Sequence, residues 1–175
     1  MHYSNLVVIE KTDDIETAIK EAMGAHEDAG GFWDWYQIGG RWTGALDGYD
    51  PETDQANIET CNLCHGTGIR TDAVGVANGM VTNKTCNGCD GKGKRVVWPT
   101  NFKKHSGDIA PIESLTDKIY AKFFRVVISG RTFGGEEYLP WKLHGEMFPK
   151  KEMPPLDWLK KEYEGYLIVV VDNHS

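Results

Sequence analysis

All four cysteines of the chain fall in two copies of one motif, Cys61-Asn62-Leu63-Cys64-His65-Gly66-Thr67-Gly68 and Cys86-Asn87-Gly88-Cys89-Asp90-Gly91-Lys92-Gly93. Each copy reads C-x-x-C-x-G-x-G. Two cysteines separated by two residues can place both sulfurs on one ion about 2.3 Å away, and structural zinc sites are four-coordinate and closed. The pattern predicts a single structural Zn2+ held by Cys61, Cys64, Cys86 and Cys89. A chain that wraps a metal must turn tightly, which explains glycines at matching offsets after each pair. Twenty-one residues separate Cys64 from Cys86, slightly more than the roughly 15–20 of common paired knuckles, so a small hairpin is expected between them.

Other thiol chemistry competes with metal. Disulfides would allow about three pairings of four cysteines, and a C-x-x-C pair with a lowered thiol pKa can be redox-active. The opening Met1-His2-Tyr3-Ser4-Asn5 has no basic n-region and no apolar signal core. A cytoplasmic location is expected on that ground, and structural disulfides are uncommon there. A thioredoxin-type site needs one pair, so duplication with glycines fits metal better. His65 is a spare ligand type, but four thiolates make it a bystander. Residues 61–93 carry few large apolar groups; such a piece needs its metal, worth on the order of 10–16 kcal/mol, to stay folded. A closed site leaves no open position for substrate, which argues against zinc catalysis.

On these motifs the segment from Cys61 to Gly93 resembles the cysteine-rich zinc-binding region of DnaJ-type co-chaperones, in which pairs of such repeats each hold one zinc ion. The resemblance implies one zinc on the four cysteines named above and points toward protein binding. It covers under a fifth of the chain, and neither a His-Pro-Asp J-domain signature nor a Gly/Phe-rich linker is present.

Outside this segment the pattern is that of a small α+β body. Asn5-Leu6-Val7-Val8-Ile9 reads as a strand. Thr12-Asp13-Asp14 offers a cap for a helix carrying Ile15, Ala18, Ile19, Ala22 and Met23, with Gly24 as its stop. Residues 123–128 read as a strand, turned back by Gly134-Gly135 toward a strand at 136–139. Pro154-Pro155 opens a helix through Trp158, Leu159 and Tyr163 to Gly165, and residues 166–171 form the strongest strand signal. Strand–helix at one end and helix–strand at the other suggest a ferredoxin-like sandwich interrupted by the zinc-knuckle segment. The expected division is 1–58 and 99–175 for the body and 59–98 for the insertion. No apolar run approaches the ~18 residues of a membrane span.

The chain has a net charge of −7, which argues against a general nucleic-acid binder. The charge is uneven: residues 61–105 carry a net +5, which leaves −12 for the remainder. Lys94, Arg95, Lys103 and Lys104, with Trp98 between them, form the one stretch that could grip a phosphate backbone. Seven basic residues make a small patch, and a solvated knuckle face accounts for them.

The segment Phe32-Trp33-Asp34-Trp35-Tyr36-Gln37-Ile38-Gly39-Gly40-Arg41-Trp42 is the second informative stretch. Trp35, Tyr36, Gly39, Gly40, Arg41 and Trp42 are candidate ligand-binding residues: a guanidinium beside indole faces can clamp a carboxylate or phosphate, and paired glycines admit a close approach. The competing reading is a buried aromatic cluster with Arg41 paired to an acid such as Asp34. Through W-Y-x-x-G-G-R-W and the terminal Asp172-Asn173-His174 the chain is similar to uncharacterised phage-encoded proteins, which implies a phage or prophage origin and a host cytoplasm as its location.

The acid–base candidates His26, Glu27, Asp28, Arg41, His144, Asp172 and His174 are scattered, and no nucleophile elbow, phosphate loop or H-E-x-x-H is present. The sequence therefore reads as a non-enzymatic zinc-binding protein acting on a protein partner. A small anionic-ligand binder or enzyme at the Gly-Gly-Arg-Trp segment, and a nucleic-acid binder at 92–105, are the alternatives.

Overall fold

A computed structural model of the protein describes residues 1–27, 33–78, 85–103, 105–128, 131–134 and 153–174. Its elements in chain order are β1 (His2–Ile9), α1 (Ile15–Glu27), β2 (Trp35–Ile38), β3 (Ile58–Thr60), α2 (Ala73–Ala77), β4 (Lys94–Val96), β5 (Ile109–Pro111), α3 (Asp117–Tyr120), β6 (Arg125–Ile128), β7 (Arg131–Gly134), α4 (Leu156–Glu162) and β8 (Leu167–His174). They divide into two units, Met1–Tyr49 with Lys104–Ser175, and Asp50–Lys103.

The first unit is a mixed sheet of order β2-β8-β1-β6-β7, with β5 also paired to β8. β1 runs antiparallel to β8 along its whole length and parallel to β6. Continuous apolar runs in β1 and β8 follow from this central position, because a strand covered on both faces has no polar side to present. Leu6, Val8, Val126, Ile128, Ile168 and Val170 face one layer, built from Leu159 of α4 with Ile112, Leu115 and Phe123. Val7, Ile9, Val127, Val169 and Val171 face the other, closed by Ile19 and Met23 of α1 and by Trp33. Each such side chain, fully buried, contributes about 1.5–3 kcal/mol.

The mixed α/β class matches the expectation, but the strand order is not that of a ferredoxin-like sandwich. In that arrangement β1 pairs with the second strand of the following hairpin and both helices cover one face. Here β1 pairs with β6, the first strand of the β6–β7 hairpin, and α1 and α4 pack on opposite faces. Two boundaries also differ. Asp14 caps α1 through a bond from the Thr17 N–H (3.1 Å), but the helix continues through Gly24 to Glu27. The return strand β7 already occupies Arg131–Gly134, paired from Arg125↔Gly134 to Ile128↔Arg131. The strand expected at 136–139 lies outside the described residues.

Among its described residues the second unit has almost no hydrophobic core. Its buried cluster consists of Cys61, Cys64, Cys86 and Cys89 with Leu63 packed against them. β3 pairs antiparallel with β4, Ile58↔Val96 to Thr60↔Lys94. Buried Asn57 ties the ends of the unit together: its side chain donates to the Pro51 carbonyl and accepts from the Lys103 N–H, and its own carbonyl accepts from Val97. These bonds carry the unit beyond the 59–98 read from the motifs.

Candidate functional site

The four cysteine sulfurs lie within 4.8 Å of one another. Cys61 and Cys86 are 3.8 Å apart at sulfur, Cys64 and Cys89 3.7 Å. A zinc–sulfur bond of about 2.3 Å makes the edge of a tetrahedron about 3.8 Å, whereas a disulfide would bring two sulfurs to about 2.05 Å. All four thiols are free and buried. The donor set, its spacing and its burial fit a closed metal site of a kind that suits zinc.

The two motifs are related by an approximate two-fold repetition. The Cys61 N–H bonds the Gly93 carbonyl (2.9 Å), and the Cys86 N–H bonds the Gly68 carbonyl (2.7 Å). The β3–β4 ladder precedes one motif and follows the other, and the Ile69↔Thr85 bridge repeats this on the other side. His65 and Asp90, at equivalent positions, both take positive φ (49° and 50°). Gly68 and Gly93 are where glycine is required: a Cβ on Gly68 would meet the Gly91 carbonyl oxygen, and one on Gly93 the Gly66 carbonyl oxygen. His65 is exposed and stands outside the sulfur cluster.

The surroundings act in opposite directions on two of the sulfurs. Burial pushes the Cys64 thiol up, but the N–H groups of Gly68 and Gly66 and the sulfurs of Cys89 and Cys61 outweigh it and bring it down to about 7. Burial pushes Cys86 up to about 11, with the neighbouring sulfurs adding to the effect against the Gly88 N–H. The Gly93 N–H donates to the Cys89 sulfur (3.2 Å). A cation would remove the remaining protons and bind all four sulfurs as anions.

The Gly-Gly-Arg-Trp segment takes another form. Trp35 and Tyr36 lie in β2, at the sheet edge against β8. Gly40–Trp42 form one turn of 3-10 helix, whose half-buried Trp42 packs on the core. Gly39 and Gly40 are close-approach sites, but what approaches them are carboxylates of the protein itself, Asp108 and Asp172. The Arg41 backbone N–H donates to Asp172 (3.0 Å), while the residue is exposed. The Arg41–Asp34 pairing is not formed: Asp34 instead binds His174 (2.8 Å), and that bond holds its carboxyl below the usual range.

Among the basic candidates, Arg95 is paired with Glu59 (2.8 Å) across β3–β4. Lys94 and Lys103 are exposed. Lys104 lies outside the described residues, as do Asp28, His144 and the side chains of His26 and Glu27.

The structure adds a residue that motif reading passed over. His2 Nδ1 bonds the fully buried carboxylate of Asp172 (3.0 Å), and His2 stands directly opposite His174 in the β1–β8 ladder. Sequence separation of 170 residues hid this pair. Its only local signal was alternation in Asp172-Asn173-His174, which places the acid and the imidazole on one face of a strand.

No protein-family model, curated protein or solved structure compared with the chain matches it.

Proposed function

We propose that the chain is a zinc-binding protein in which one structural ion folds the 50–103 unit, and that this unit recognises a protein partner without enzymatic turnover at the metal. The observation that carries the reading is the sulfur geometry, four buried thiols at tetrahedral zinc spacing. Four thiolates complete the coordination of zinc, so the ion offers no position for water or substrate. The metal is then a scaffold. What it holds out is apolar: Ile69, Val74 and Trp98 are exposed, Trp98 at 66 %, and solvent-facing tryptophan is a frequent anchor in protein interfaces. The resemblance to DnaJ-type zinc regions favours a protein as the partner, and the resemblance to phage-encoded proteins makes a host factor the first to seek.

Native mass spectrometry of gently purified protein tests the reading. One zinc per chain is expected, together with a partner whose retention is lost in Trp98→Ala and on zinc chelation. A metal-free chain four hydrogens short in mass would mean paired disulfides and would end the proposal.

A further inference from the structure

The end of the sheet where β1 begins and β8 finishes carries two carboxylate–imidazole pairs side by side. His2 Nδ1 is bound to both oxygens of Asp172, at 3.0 and 3.2 Å. His174 Nδ1 is bound to both oxygens of Asp34, at 2.8 and 3.0 Å. The two imidazoles belong to residues directly opposite in an antiparallel ladder, and the ring of Trp35, next in the same row, stacks parallel to that of His174 (5.8 Å, 4°) and meets that of His2 edge-on.

In each pair an ionised carboxylate accepts a hydrogen bond from Nδ1–H, so Nε2 is the ring nitrogen left to face a ligand. Neither Nε2 makes a hydrogen bond among the described residues. An imidazole held this way by a carboxylate is the usual arrangement behind a metal-ligating histidine, where the acid orients the ring and raises its basicity. The spacing agrees. With a metal–nitrogen bond of about 2.0–2.1 Å, two imidazoles on one tetrahedral ion have ring centres about 5 Å apart; those of His2 and His174 are 5.2 Å apart, inclined at 70°. The support behind the rings is rigid on one side. Asp172 is fully buried and also accepts the Arg41 N–H, so the turn at Gly40–Trp42 fixes the acid that fixes His2.

We propose that Nε2 of His2 and Nε2 of His174 bind a divalent transition-metal ion, Zn2+ or Co2+ in the first instance, at a site chemically unlike the four-thiol centre. No third His, Cys, Asp or Glu among the described residues joins the two imidazoles at ligand distance. The ion therefore keeps open positions for water or an anionic ligand, whereas the cysteine site is closed. Imidazole donors suit zinc, nickel and copper, and this site is weaker than one made of four thiolates.

The test uses the full chain with its cysteine site already filled by one zinc, titrated with further Zn2+ or with Co2+ alone. The expected result is one additional equivalent. With cobalt it shows weak visible bands without thiolate charge transfer, and native mass spectra show the first zinc retained. His174→Ala and His2→Ala each abolish the second equivalent, and Asp34→Asn weakens it by roughly 10–100-fold. Nitrogen NMR of the wild-type imidazoles guards against misfolded variants: the ion shifts Nε2 of His2 and His174 and leaves His65 and His105 unmoved. No second equivalent in the wild type, an unchanged second equivalent in a folded His174→Ala, or shifts confined to other histidines would each overturn the assignment.

Discussion

The side chain of Asp172 fills the space in which a Cβ on Gly40 would sit. An ideal Cβ there would lie 2.6 Å from Asp172 Cβ and 2.7 Å from its Oδ2, on a backbone with φ of +55°. This contact joins the Gly40–Trp42 turn to the last strand and holds the acid that orients His2.

Gly40→Ala therefore faces two costs, a left-handed backbone at about 1–2 kcal/mol and overpacking at about 1–3 kcal/mol. Denaturant unfolding should show a loss of about 2–5 kcal/mol. A variant within 0.5 kcal/mol of wild type, on the order of an ordinary surface change, would mean that the turn relaxes freely away from Asp172.

The crossed contacts Gly68–Gly91 and Gly93–Gly66 bind the two motifs together at the four-cysteine cluster. Beyond the left-handed backbone cost, Gly68→Ala and Gly93→Ala should each lose on the order of 1–3 kcal/mol to overpacking, read as a further roughly 5- to 150-fold loss of zinc affinity in a chelator competition. Because the motifs are related by repetition, the two losses should be similar. Gly48→Ala, where nothing lies within 4 Å of the added atom, is the control for positive φ without a clash.

Removing the metal should unfold one unit only. The cysteines are nearly the whole buried apolar core among the described residues of 50–103, while the sheet has its own two apolar layers. Hydrogen exchange after chelation, or in Cys86→Ala, should lose protection across 50–103 and keep it in β1, β6 and β8. Uniform loss over the whole chain would show that the sheet depends on the metal as well.

Asp108 gives a pH dependence. Burial raises its carboxyl above the usual range, with the Thr43 hydroxyl and the Gly44 N–H opposing. Between its unfolded pKa of about 3.9 and the raised folded value, the native state binds more protons than the unfolded one. Its contribution is therefore most favourable below that interval and declines as pH rises through it. Asp108→Asn can still accept from the Gly44 N–H and, with its amide N–H donating to the Thr43 hydroxyl instead of accepting from it, keep the second contact without a charge, so its melting temperature relative to wild type should improve from pH 4 to pH 7. Asp108→Ala should instead lose about 1–3 kcal/mol, since it strands the buried Gly44 N–H. A flat difference between Asn variant and wild type across that range would refute the role of burial.

Much of the four-cysteine cluster was readable in the chain because its candidate ligands come as short local units. A C-x-x-C pair carries its geometry within four residues, and its glycines mark where the wrapping backbone must turn. The strands β1, β6 and β8 and the helices α1 and α4 were readable for a related reason: burial imposes a periodicity on neighbouring residues. Gly24 misled, because glycine ends a helix only where the chain turns away, and α1 has no such turn there. β2 went unread because its aromatic run suggested a ligand site as readily as a sheet edge.

Local order along the chain thus determined the four thiol ligands, their pairing into two motifs and the apolar strands. Strand order and the partners of the polar groups were decided only by the tertiary structure. Whether β1 takes β6 or β7 as its parallel neighbour depends on how two layers of side chains pack, which no stretch of sequence contains. The same holds for His2 with Asp172 and for Asp34 with His174. Pairing β1 and β2 with β8 brings these residues together across 170 and 140 positions, and hydrogen bonds then select among acids and imidazoles that sequence distance had kept apart.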